Sequence, residues 1–85
     1  MNYSVHWTQL ALKQLAAAWL VSADRNAFTA ASHRLDQSLA LDPLGQGIAR
    51  NASTNRTAID LPLGIDFEII EDDKKVRILR VWPVE

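Results

Sequence analysis

Cations are the first residues in this chain that could do chemistry. The sequence closes on KKVRILRVWPVE, residues 74–85, with Lys74, Lys75, Arg77 and Arg80 inside seven positions. Upstream, Arg50 and Arg56 stand in a polar segment with no acid until Asp60. Arginines so placed can grip a phosphate backbone or stabilise charge developing on a scissile phosphate. Cleavage also needs a group that moves a proton, and His33 is the histidine placed to act as acid or base. The candidate site residues are therefore Arg56 first, Arg50 and Arg80 next, and His33. For each there is a plainer reading: a solvated loop arginine, or a histidine on the wet side of a helix.

The terminal cations face competition from their own neighbours. KKVRILRV at 74–81 follows IDFEIIEDD at 65–73, which matches it almost charge for charge. If these runs form a hairpin, Glu68 lies across from Arg77, and Asp66 is within diagonal reach of Arg80. Exposed pairs of this kind contribute only about 0–1 kcal/mol, yet they cancel the local field. The whole chain carries a net charge of −1, so no global positive potential steers it towards nucleic acid.

Composition narrows the classes further. The chain has 85 residues, enough for one small domain with a thin core, and 48% of them are apolar. With no cysteine, disulfides and thiolate metal sites are excluded. His6 and His33 lack the spacing of a metal site, and no cofactor is expected. No run approaches the ~20 apolar residues of a membrane span. MNYSVHW has neither the basic nor the apolar region of a secretory signal, so a cytoplasmic protein is expected. The Asn51 and Asn55 sequons read as polar loop.

The elements that must position these residues follow from periodicity. Residues 3–7 alternate and favour a first strand, with Thr8 as N-cap for a helix over Gln9–Val21. Ala11, Leu15, Ala18 and Trp19 form the inward stripe of that helix. Asp24 caps a second helix running to about Ala40 on a spine of Phe28, Ala31, Leu35 and Leu39. His33, Arg34, Asp36 and Gln37 fall mostly outside it. Asp42-Pro43 ends the helix, and Gly45 and Gly47 give turn freedom. Residues 48–55 read as loop or a ragged strand start; 57–61, 65–69 and 76–82 read as three further strands. With Asp72 and Asp73 central in the last turn, Ile69 faces Val76 and Phe67 faces Ile78. One face then carries Ile65, Phe67, Ile69, Val76, Ile78 and Trp82. Arg80 falls on that apolar side, and Trp82 is expected in the core. The expected fold is α+β, in the order β-α-α-β-β-β: a helical hairpin on a mainly antiparallel four-stranded sheet, forming one domain over residues 1–85.

Laid out this way, the chain resembles the RelE/ParE superfamily of toxins from bacterial type II toxin–antitoxin modules. ValHisTrpThr at 5–8 with Ala11 and Leu15 is similar to that family's opening strand and first helix. Leu39, Leu41-Asp-Pro43 and Gly45 are similar to the end of its second helix. Arg56, residues 61–69 and residues 75–81 are similar to its closing strands. The resemblance implies a growth-inhibiting toxin held by a cognate antitoxin. Its target would be either DNA gyrase, which needs no catalytic residue, or ribosome-bound mRNA, cut by a ribosome-dependent endoribonuclease. Three departures tell against the second activity. Gly64 stands where ribonuclease members tend to carry an arginine. The sequence stops at Glu85 without their basic, tyrosine-containing tail. Its tyrosine, Tyr3, sits at the opposite end. The alternative is a diverged, non-toxic protein-binding module that keeps only the fold.

Overall fold

A computed structural model describes residues 2–49 and 55–84. The elements are β1 (Ser4–Trp7), α1 (Gln9–Val21), α2 (Arg25–Leu41), a 3-10 turn (Pro43–Gly45), β2 (Ile48–Ala49), β3 (Asn55–Asp60), β4 (Leu63–Ile70) and β5 (Lys75–Pro83). The expected order holds, with the two-residue β2 added at the sheet's margin. Strands run β1-β5-β4-β3-β2, with β1 parallel to β5 and every other neighbour antiparallel.

Both helix starts form as their sequences dictate. The Thr8 side chain accepts the amide of Ala11 and that of Asp24 accepts the amide of Ala27, each satisfying one of the orphan donors of a first turn. Ala11 and Ala18 are buried in α1, and these small side chains let the helix sit close on the sheet. In α2 the spine of Phe28, Ala31, Leu35 and Leu39 is buried throughout. Against it lie Leu63, Ile65, Phe67 and Ile69 of β4 with Val76, Ile78 and Val81 of β5. Each large side chain contributes about 1.5–3 kcal/mol by leaving water. Gly47, at φ +67°, lets the backbone turn into β2 where an L side chain would meet the Thr57 carbonyl.

The β4–β5 pairing departs from simple alternation at one point. Ile69 faces Val76, Glu68 faces Arg77 and Phe67 faces Ile78, as the sequence pattern requires. Beyond that, Asp66 pairs with Arg80, leaving Leu79 as the extra residue of a β-bulge. The bulge exchanges the faces of everything after it. Arg80 therefore leaves the apolar side and lies over Asp66, Val81 enters the core, and Trp82 stands on the open face opposite Gly64. The expectations for Arg80 and Trp82 are corrected accordingly.

Candidate functional site

The helices cover one face of the sheet and leave the other open. Register places His6, Arg77, Glu68 and Asn55 in one row across the open face. Arg80, Asp66, Thr57 and Ile48 form a second row, and Trp82, Gly64 and Ile59 a third. The bulge puts Arg77 and Arg80 on the same side although they are three residues apart. Both are answered at once by acids: Arg77 Nη1 lies 3.0 Å from Glu68 Oε1, and Arg80 Nη2 lies 2.8 Å from Asp66 Oδ2. Thr57 donates to the other Asp66 oxygen at 2.6 Å. The two arginines of the open face are therefore charge-paired, while Lys75 on the same side of β5 is exposed and has no ion pair among the described residues.

Gly64 has a specific reason to lack a side chain. A Cβ built there would lie 2.6 Å from both Cε2 and Nε1 of Trp82, so the indole covers the glycine directly. The position where the resembling ribonucleases tend to carry an arginine is filled here by an aromatic ring from the neighbouring strand.

The remaining candidates scatter. Arg56 turns to the helix side, where its Nε donates to the Gln46 carbonyl at 2.7 Å and its Nη2 to the Gly47 carbonyl at 3.1 Å. It clamps the turn before β2. Arg50 lies outside the described residues. His33 is exposed on α2, far in the fold from the open sheet face, and borders the helical groove described below. The structure therefore does not bring Arg56, Arg80 and His33 to one centre. Asp60, the nearest acid after Arg56 in sequence, is held instead by Arg34, through Nε at 2.9 Å and Nη2 at 2.7 Å. These hydrogen bonds hold the Asp60 carboxyl below its ordinary value. Tyr3 donates to Glu71 at 2.5 Å beside the β4–β5 turn, and this raises the phenol's pKa and lowers that of the acid. Among the described residues no group of three or more His, Asp or Glu could hold a metal ion.

Sequence periodicity missed the more open feature. Leu12, Leu15, Ala16 and Trp19 of α1 and Phe28, Thr29 and Ser32 of α2 line a groove of about 390 Å³. It continues past Leu12, Leu15 and Ser32 towards Trp7, His33 and Asp36. Leu12 is 51% exposed and Trp19 37%, although both belong to an apolar helix. Trp19 is fixed there: its Nε1 donates to Thr29 at 3.1 Å, and the Arg25 guanidinium stacks 4.6 Å from its ring. At the other end Trp7 donates to Asp36 at 3.0 Å. A sequence signal for the groove existed in Leu12, an apolar residue that lies off the buried stripe of α1. Apolar side chains there have nothing to cover within one domain.

No protein-family model matches the chain, and none of the curated proteins matches it. Solved structures do. A chain of the toxin–antitoxin complex RelBE2 from Mycobacterium tuberculosis superposes with a TM-score of 0.74 at 20% identity, covering 98% of this chain and 99% of that one. A chain of the chromosomal ParDE toxin–antitoxin system from P. aeruginosa gives 0.70 at 22% identity, covering 98% and 97%. The conserved hypothetical protein HP0892 from Helicobacter pylori gives 0.58 at 12% identity, covering 93% and 91%. No helix among the described residues is long and apolar enough to cross a membrane.

Proposed function

We propose, for a chain that has the RelE/ParE-type toxin fold, that it is the toxin component of a type II toxin–antitoxin module. In this reading an antitoxin neutralises it, and it acts by binding a protein target of the DNA gyrase kind rather than by cutting ribosome-bound mRNA. Similarity in fold to chains of two toxin–antitoxin systems over nearly the whole length supports the module. The groove between α1 and α2 supports the partner. It is an apolar groove of about 390 Å³ between the two helices, with Leu12 and Trp19 exposed along it.

The choice of target rests on the open sheet face. A ribonuclease of this fold needs uncommitted cations around the scissile phosphate and a nearby proton-transfer group. Here Arg77 and Arg80 each hold a carboxylate and Trp82 fills the place above Gly64; His33 lies on the helical side, and His6, the histidine of the open face, has Arg77 beside it already paired with Glu68. A surface whose arginines are paired and which carries a half-buried indole suits a protein partner better than a polyanion.

Induced expression of the chain alone tests the reading. It should arrest growth, and co-expression of the product of the adjacent reading frame should relieve the arrest. Leu12→Glu, at a half-exposed groove position, should keep the arrest and lose the relief. Normal growth on induction would leave a non-toxic binding module of the same fold.

A further inference from the structure

The open face of the sheet is striped by charge. The outward positions of β5 are Lys75, Arg77, Arg80 and Trp82, and those across from them on β4 are Ile70, Glu68, Asp66 and Gly64. One strand presents a cationic column and its neighbour an acidic one, joined row by row at 3.0 Å and 2.8 Å. At the end of the columns the half-buried Trp82 lays its indole across Gly64. Ile59, 59% exposed, continues that row on β3. The outer side of the ring and this isoleucine have no cover within the described chain.

We propose that a second copy of the chain covers this face, related by a two-fold axis that runs along the strands midway between β4 and β5. A two-fold contact sets a surface against itself, so the direction of the axis decides which charges meet. An axis across the strands lays β5 on β5 and opposes arginines to arginines. The axis along the strands exchanges the two columns and keeps every row. Arg77 of each copy then lies over the partner's Glu68, and Arg80 over the partner's Asp66. The two Trp82 indoles meet at the axis in an offset stack, each resting on its own glycine. Glycine, ring, ring and glycine make three contacts of about 3.5 Å each, which together match the spacing of about 10 Å between packed sheets. Lys75 stays at the rim. Association by strand edges is closed at β5, because β1 covers Lys75 to Ile78, the Gln14 side-chain oxygen accepts the Val81 amide at 2.8 Å, and Pro83 has no amide hydrogen.

The size of the face sets the strength. Eight residues of strand by four strand spacings, about 27 Å by 19 Å, give about 500 Å² per copy, the low end for a specific interface. Ion pairs that lose water on contact roughly break even, so the stacked indoles decide the balance. A reversible dimer with a dissociation constant on the order of 10–100 μM is expected. The pairing hides the face proposed above for the target, so the chain masks itself when it accumulates. That consequence rests on the toxin reading; the pairing does not.

Sedimentation of the purified chain from low micromolar to near-millimolar concentration should show a monomer–dimer equilibrium, which Trp82→Ala should weaken at least tenfold. The double exchange Glu68→Arg with Arg77→Glu keeps the ion pair within each chain and, across this axis, the match between copies. It should dimerise as the wild type does. Mixed with the wild type, it opposes like charges, and native mass spectrometry should find several-fold fewer mixed dimers than random association gives. Mixed dimers at or above the random proportion overturn the proposed axis, since pairing of β5 on β5 favours them. A chain that stays monomeric throughout, or a dimer indifferent to Trp82→Ala, overturns the pairing and leaves the toxin reading standing, which growth arrest tests separately.

Discussion

Replacing Gly64 with alanine tests how the open sheet face is built. The added methyl would sit 2.6 Å from two atoms of the Trp82 indole, well inside van der Waals contact, on two paired strands that cannot separate without breaking the ladder. The ring must tilt away or the strands must part, and overpacking of this kind costs about 1–3 kcal/mol. An alanine in a strand interior is otherwise preferred to glycine by roughly 0.5–1 kcal/mol, because glycine loses more freedom on folding. The sign of the effect should therefore depend on Trp82. Gly64→Ala should destabilise the wild type, yet be neutral or stabilising in a Trp82→Ala background, with a coupling equal to the overpacking cost of about 1–3 kcal/mol between the two sites. Urea unfolding of the four proteins, read by far-ultraviolet circular dichroism, measures this directly, since the signal does not depend on the tryptophan removed. An equal cost of Gly64→Ala in both backgrounds would refute the argument that the indole excludes a side chain there.

Three further outcomes follow from the geometry. Arg56→Ala should lower stability by about 1–3 kcal/mol through loss of two charge-assisted bonds to the Gln46 and Gly47 carbonyls, and Arg56→Lys should restore less than half of it, as thermal melts would show. Asp60 has a native pKa lowered by its hydrogen bonds to Arg34, so its contribution is fully present above the ordinary aspartate value of about 3.9 and fades as pH falls through the lower native value. Asp60→Asn should accordingly cost up to about 1 kcal/mol at pH 7 and flatten the acid limb of a stability profile, leaving pH 6–8 without slope from this pair. Trp19→Phe should keep the fold while loosening the groove wall, because the ring loses its bond to Thr29; antitoxin affinity, measured by calorimetry, should fall several-fold.

Much of the fold was legible because local signals agreed with each other. Thr8 and Asp24 each stood one residue before an apolar period of three and four, and both cap as expected. The β4–β5 register was fixed by the need to keep Phe67 and Ile69 against Ile78 and Val76. The bulge at Leu79 was not legible as such, but its trace was: simple alternation put a cation, Arg80, among buried aliphatics. An extra residue removes that conflict by sending Arg80 to Asp66 and Val81 inward. The site was less legible, since its properties arise between elements distant in sequence. Nothing local relates Arg34 to Asp60, Gln14 to Val81 or Trp82 to Gly64. The lack of nearby acids around Arg56 marked it as an unspent cation, yet backbone carbonyls ten and nine residues upstream take up its donors.

The central claim is that the chain poisons a protein target and leaves message intact, because the two arginines on its open face are already held by Asp66 and Glu68. Mapping transcript 5′ ends in cells arrested by its induction tests that claim most directly. Arrest with unbroken coding regions and induced DNA-damage signalling is the predicted result. New 5′ ends clustered within translated codons would contradict it.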